Sequence, residues 1–177
     1  MKPIYLDNNA TTQIAPEVLA AMQPYLGELY GNPSSMHTFG GQLHRKIEEA
    51  REKVAALIGA EPGEIIFTSC GTESDNTAIM SALESYPGRK HVITTRVEHP
   101  AVLNFCRHIQ RKGYRVTFIP VDKAGNLDMK TLYSSVDDDT AVVSVMYANN
   151  ETGVIFPVAE IAEFLKSRGV LFHTDAV

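Results

Sequence analysis

Residues 91–120 read HVITTRVEHPAVLNFCRHIQRKGYRVTFIP, and this stretch decides the fold. Its two ends, His91–Thr95 and Tyr114–Pro120, are short and rich in branched residues, which favours β-strands. The middle, Pro100–Lys112, has the spacing of an amphipathic helix, with inward positions at Val102, Phe105, Cys106 and Ile109. Because a strand–helix–strand order joins parallel strands, the stretch predicts an α/β fold.

The same alternation continues on both sides of this stretch. Further strands are predicted at Glu64–Thr68, Ala141–Met146 and Val170–Asp175, and further helices at Pro16–Leu26, Thr38–Ile58, Thr72–Leu83, Leu127–Val136 and Pro157–Arg168. Helices cover both faces of such a sheet, so we expect a three-layer αβα arrangement with a mainly parallel sheet. Since no helix follows the last strand, we expect the chain to be a portion of a larger domain.

Composition argues against several classes of protein. The chain has 177 residues and a formal net charge of −5, which does not favour a nucleic-acid binder. No run approaches the roughly 20 apolar residues of a membrane span. With only Cys70 and Cys106, neither a disulfide framework nor a cysteine-rich zinc site is expected, and a cytoplasmic location fits.

Ligands of parallel sheets bind beyond the carboxyl ends of the strands, so the residues there are the candidates for a site. Gly71 and Thr72 follow one predicted strand and begin a helix, where free N–H groups and a hydroxyl can bind a phosphate. Thr72 can equally be an ordinary helix cap. His99, before Pro100, can stack on an aromatic ring or move protons, or it can simply cap its turn.

Two more candidates follow the last two predicted strands. The amides of Asn149 and Asn150 can bind a ring hydroxyl or a carboxylate, or can serve only to form a turn. Asp175 can pair with a protonated ring nitrogen, or can be an exposed residue at a strand end. A phosphate site, an imidazole, an amide and a carboxylate together suit pyridoxal 5′-phosphate (PLP), whose ring nitrogen must stay protonated. The glycine motifs of NAD and ATP sites are absent from the sequence.

Six ordered motifs resemble the cysteine desulfurases, PLP-dependent enzymes of the class V aminotransferase group, and most closely their NifS-like, nitrogen-fixation type. The motifs are Tyr5–Thr12, Gly31–Ser35 with His37, Phe67–Asn76, Glu98–Ala101, Asn149–Gly153 and His173–Ala176. The resemblance implies a PLP-dependent transferase fold of type I with an incomplete large domain. Residues 1–14 would be an N-terminal arm, and residues 15–177 the N-terminal portion of the large PLP-binding domain.

The resemblance also implies a role for each candidate residue. Gly71 and Thr72 match the phosphate-binding turn, and His99 matches the histidine that stacks on the pyridine ring and moves protons. Asn150 matches the amide near the ring hydroxyl and the substrate carboxylate, and Asp175 matches the aspartate that keeps the ring nitrogen protonated. Segments that approach the active site in the family are matched by Asn8, Ala10, Thr11 and His37.

The family converts L-cysteine to L-alanine and an enzyme persulfide, which supplies sulfur to an iron–sulfur scaffold protein, and it acts as a homodimer. Its Schiff-base lysine and persulfide cysteine lie beyond Val177, so we expect these 177 residues alone to be inactive. We expect Cys70 to pack in its turn and to have a structural role. Alternatives are another class V enzyme, such as a selenocysteine lyase, and a non-catalytic truncated product or dimerisation partner.

Overall fold

The computed structural model describes residues 3–177. The helices are α1 (Pro16–Met22), α2 (Thr38–Ile58), α3 (Gly71–Ser85), α4 (Pro100–Arg111), α5 (Met129–Ser135) and α6 (Val158–Arg168). The strands are β1 (His91–Thr95), β2 (Arg115–Ile119), β3 (Thr140–Ser144) and β4 (Leu171–His173). The chain divides into two compact units, a first that ends at Phe67 and a second that comprises Thr68–Val177.

The second unit is built on one four-stranded sheet in the order β2-β1-β3-β4. Every pairing is parallel, and the central strands β1 and β3 are buried at all five of their positions. Buried parallel strands need cover on both faces, which explains why the helices alternate with the strands along the chain. The prediction of a mainly parallel sheet is confirmed.

Neighbouring residues of each central strand belong to two separate clusters of buried side chains. Val92 and Val142 lie in one cluster with residues of α3 and α4, such as Ile79 and Val102. The next residues along, Ile93 and Val143, lie in the other cluster with Leu132 of α5 and with Ile161 and Leu165 of α6. Since successive side chains of a strand point to opposite faces, the sheet has helices on both faces, and the three-layer αβα prediction is confirmed for this unit.

The first unit consists of α1, a 3₁₀ helix at Gln23–Leu26, and the long helix α2. The predicted helix Pro16–Leu26 changes to 3₁₀ geometry at its end, where Pro24 has no N–H to donate to an α-helical bond. Helix α2 matches its predicted bounds: His37 Nδ1 accepts from Gly40 N at 3.2 Å at its start, and Gly59 ends it with a φ of 70°.

One predicted strand is absent from the structure. The segment Glu64–Thr68 is not a strand; Pro62–Glu64 is a 3₁₀ helix, and Ile66 is 75% exposed. No strand pairs with this segment within residues 3–177, so its backbone has no ladder to join. In α2, Leu57 and Ile58 are exposed, and the buried residues are Gly40, Leu43 and Ala55.

None of the helices in the described part of the chain is long and apolar enough to cross a bilayer.

Candidate functional site

The start of α3 presents backbone amides that no side chain caps. The first helical bond runs from Ser74 N to Cys70 O at 3.1 Å, and the preceding turn is held by a 2.6 Å bond between the hydroxyls of Thr68 and Ser74. Thr72 is exposed at this helix start. The positive end of the helix dipole, the backbone N–H groups of the first turn and a hydroxyl together suit an anion such as a phosphate.

The two cysteines occupy different environments. Cys70 is exposed, so the expectation that it packs in the turn is wrong. The backbone amide of Glu73, the hydroxyl of Ser69 and the amide of Thr72 lower the pKa of the Cys70 thiol. Cys106 is buried in α4, where desolvation raises the pKa of its thiol to about 12, and this agrees with its predicted inward position.

Asp175 lies two residues beyond β4. The segment that bears it, residues 174–177, contacts both the loop after β3 and the start of α3. Tyr147 N donates to Asp175 O at 2.7 Å, and Val177 N donates to the Asp175 side chain at 3.1 Å. A Cβ atom on Gly71 would lie 3.2 Å from Val177 Cγ2, so the glycine permits this close approach. The carboxylate-bearing segment therefore lies against the α3 turn that suits a phosphate.

His99 is exposed at the N-terminus of α4. Its Nδ1 accepts a hydrogen bond from Ala101 N at 3.2 Å, which leaves Nε2 as the nitrogen for a ligand. Both His99 and Asp175 act on the carboxyl of Asp75: Asp175 raises the pKa of Asp75, and His99 lowers it. The charges of the imidazole and of the Asp175 carboxylate therefore both influence the pKa of this buried acid.

Asp75 belongs to a row of three side chains, of which Asp75 and Ser144 are buried and His173 is partly buried. His173 Nε2 lies 3.5 Å from Asp75 Oδ1, and His173 Nδ1 lies 2.9 Å from Ser144 Oγ. Burial, followed by the charge of Asp175, raises the pKa of Asp75 to about 6, and burial lowers the pKa of His173. Ser144 is fully buried, so its hydroxyl is not available as a nucleophile. The three side chains instead anchor the segment that bears Asp175.

Glu98 is a second buried acid near the site. Its Oε1 accepts from Thr95 Oγ1 at 2.7 Å and from Met146 N at 3.1 Å, while its Oε2 is buried without a hydrogen-bond partner. Desolvation is the main cause that raises the pKa of Glu98 to about 7, and the charges of Asp175 and Asp75 raise it further. A positively charged ligand would relieve the mutual repulsion of these three carboxyls.

Asn150 is exposed in the turn that follows β3. Its neighbour Asn149 is buried, and the side chain of Asn149 organises the turn, which closes with Gly153 at a φ of 75°. Asn150, His99, Asp175 and Gly71 all belong to the second unit. Their combined chemistry suits a phosphorylated ring that carries a positive charge.

The remaining predicted site residues lie in the first unit. His37 caps α2, and Asn8 and Ala10 lie in an exposed turn with Thr11 beside it. Sequence reasoning assigned no role to Asp75, Glu98 or His173, because the signal that distinguishes them is an ionisable group that is buried or, for His173, partly buried, which appears only in three dimensions. No group of three or more His, Cys, Asp or Glu side chains within residues 3–177 is arranged to hold a metal ion.

Comparison with known proteins gives consistent matches. The family described as "Aminotransferase class-V" matches residues 4–177. A "Cysteine desulfurase" of Trichormus azollae is 58% identical over 177 residues, and the "Cysteine desulfurase NifS" of Azotobacter vinelandii is 55% identical over 178 residues. Each alignment covers 100% of this chain but 44% of the relative, so the chain spans less than half the length of these curated relatives.

Solved structures agree with the sequence matches. A "NIFS-LIKE PROTEIN" superposes with a TM-score of 0.93 at 42% identity, over 98% of this chain and 48% of that chain. A structure described as "SspA in complex with cysteine" has a TM-score of 0.91 at 32% identity, over 97% of this chain and 50% of that chain. The predicted fold is therefore found in solved relatives as well.

Proposed function

Because the chain belongs to the aminotransferase class-V family, we propose that residues 68–177 supply part of a PLP-binding site and that the full-length protein is a cysteine desulfurase. One observation carries the proposal: the Asp175 segment lies against Gly71 at the start of α3, while Asp175 and His99 both act on Asp75. These observations support a site to which three elements that are distant in sequence contribute an anion-binding turn, an imidazole and a carboxylate.

The proposed roles follow from the chemistry of each group. The amides at the start of α3, with Thr72, bind the phosphate of PLP, and Gly71 leaves room for the segment that bears Asp175. Asp175 keeps the ring nitrogen protonated by offering it a carboxylate. His99 stacks on the ring, and Asn150 donates to the ring hydroxyl and the substrate carboxylate.

When bound, PLP supplies an electron sink for bond cleavage at the substrate amino acid. The residues of this chain hold the ring and fix its charge. His99 Nδ1 is occupied by Ala101 N, so Nε2 is the atom that moves a proton to or from the substrate. Asp75 and Glu98 are buried, whereas Asp175 is only partly buried, which is why the role at the ring nitrogen is proposed for Asp175.

The proposed reaction transfers the sulfur of L-cysteine to a cysteine thiol of the enzyme, which yields L-alanine and a persulfide. Support for this substrate comes from the curated relatives, which are named cysteine desulfurases, and from a solved relative described in complex with cysteine. We further propose a cytoplasmic homodimer that passes sulfur to an iron–sulfur scaffold protein, with a nitrogenase system as the client, because a relative carries the name NifS.

Substitution of Asp175 in the full-length protein tests the proposal. Asp175→Asn keeps an oxygen to accept from Val177 N but removes the charge, and Asp175→Ala removes both. We expect either variant to lower turnover of L-cysteine to L-alanine by roughly 100-fold or more, since a neutral ring nitrogen is a poorer electron sink. Alanine and sulfide release are the measurements, and the absorption spectrum reports bound PLP.

A matched control is Asp138→Asn, which removes a charge from an exposed turn and should leave turnover unchanged. Near-normal turnover in Asp175→Asn would remove Asp175 from its proposed role. Failure of the wild-type protein to bind PLP, or a strong preference for L-selenocysteine over L-cysteine, would overturn the proposed activity.

A further inference from the structure

Two buried side chains connect the loop after β1 to the loop after β3. Asn149 Nδ2 donates to Val97 O at 2.9 Å, and Glu98 Oε1 accepts from Met146 N at 3.1 Å. The first loop ends at His99 and the second carries Asn150, so both bonds join the elements that present these two groups. Such buried bonds fix geometry, because an unsatisfied partner left behind is costly.

Asn149 also builds the turn on its own side of this connection. Its Oδ1 accepts from Thr152 N at 2.9 Å, from Thr152 Oγ1 at 3.0 Å and from Glu151 N at 3.1 Å. An Asn that only formed a turn would need these bonds and nothing more. The bond from Nδ2 to Val97 crosses to another loop, and the turn does not require it.

We propose that Asn149 is a positioning residue, which holds Asn150 at a fixed place relative to His99 by tying the two loops together. The inference rests on the proposed function for the roles of Asn150 and His99, whereas the connection between the loops stands on the contacts alone. The oxygen of the Asn149 amide shapes the turn, and its nitrogen sets where that turn lies.

The variant Asn149→Asp separates these two roles. It keeps an oxygen for Glu151 and Thr152 but places a second oxygen, in place of the donor, opposite Val97 O. Asn149→Ala removes both roles. The control Asn104→Asp adds the same charge at an exposed position of α4, outside both loops in the sequence.

Hydrogen exchange of the full-length protein without cofactor is the first measurement. In Asn149→Asp we expect the segment 96–99 to exchange about tenfold faster than in the wild type, which is the effect of losing one hydrogen bond. The amides of Glu151 and Thr152 should keep their protection in this variant and lose it in Asn149→Ala. Lowering the pH should restore protection at 96–99 in Asn149→Asp only, because a protonated carboxyl can donate to Val97 O.

The second measurement is the dissociation constant for PLP, which we expect to rise at least tenfold in Asn149→Asp and to stay unchanged in Asn104→Asp. If exchange at 96–99 in Asn149→Asp equals that of the wild type, the inference fails even if the wild type binds PLP. Unchanged PLP affinity in Asn149→Asp also overturns it. If the wild type binds no PLP, the proposed function fails, while the exchange data still decide whether Asn149 ties the loops.

Discussion

At the scale of single residues, the surroundings of the Glu98 carboxyl favour its protonated form. Only one of its two oxygens has hydrogen-bond partners, and the other is buried without one. Burial therefore disfavours the ionised form and raises the pKa of Glu98 from 4.5 to about 7. Near neutral pH, the Glu98 carboxyl is therefore protonated in part of the molecules and ionised in the rest.

This protonation makes stability depend on pH in a defined direction. Between pH 4.5 and about 7 the folded state binds a proton at Glu98 that the unfolded state has lost, so the free energy of unfolding falls as pH rises. We expect Glu98→Gln, which keeps an oxygen for Thr95 and Met146, to remove this fall. Between pH 4.5 and about 7, the free energy of unfolding of the wild type should fall by at most about 3 kcal/mol relative to that of the variant.

Urea unfolding at a series of pH values measures this difference. Glu163→Gln, at an exposed position of α6, is the matched control and should show a constant difference from the wild type. A difference between wild type and Glu98→Gln that stays flat from pH 4 to pH 8 would show that the Glu98 carboxyl is not desolvated in the folded state.

The residues that sequence could identify are those with a local signature. Gly71 begins a helix and His99 precedes a proline at a second helix start, and both positions can be read along the chain. The burial of Asp75 and Glu98 could not be predicted in this way. Asn149 was identified from the sequence as a ligand or turn residue, but its bond to Val97 O was not, because it depends on another loop. The sequence thus indicated the groups that are proposed to bind a ligand, and it missed the burial and the contacts of the residues beside them.

At the scale of elements, the pattern of apolar residues predicted every strand of the sheet, because short apolar segments alternate with helices along the chain. The one wrong strand, Glu64–Thr68, has the composition of a strand but no partner within residues 3–177. Boundaries shifted where a side chain caps a helix: α5 begins at Met129 because Asp128 Oδ1 accepts from Thr131 N at 2.9 Å. Composition identifies segments that are able to form a strand. Whether such a segment does form one depends on a neighbouring strand with which it can pair.

The helices of the sheet faces should contribute stability in proportion to the side chains they bury. Ile161 of α6 is 0% exposed, whereas Ile155, in the segment before the same helix, is 67% exposed. We expect Ile161→Ala to lower the free energy of unfolding by roughly 2–5 kcal/mol, because it leaves a cavity between α6 and the sheet. Ile155→Ala, the matched control, should change it by less than about 0.5 kcal/mol.

Denaturant unfolding of both variants tests this contrast. Equal effects of the two substitutions would mean that α6 does not pack on the sheet as described, and would remove one layer of the αβα arrangement.

At the scale of the whole molecule, buried side chains are distributed unevenly between the two units. The second unit contains both clusters of buried apolar residues, one on each face of its sheet. In α2, the longest helix of the first unit, Gly40, Leu43 and Ala55 are buried. Since helices in proteins owe most of their stability to packing of an apolar face, the two units should differ in how easily they open.

Hydrogen exchange of the 177-residue chain can resolve this difference. We expect the slowest amides in β1 and β3, whose residues are all buried, and protection in α2 lower by roughly 100-fold or more. Helix α6 is the internal control, because it buries Ile161 and Leu165 and should exchange more slowly than α2 although both are helices. If α2 is as well protected as β3, the first unit opens only together with the sheet, and the difference in burial between the units does not govern their stability.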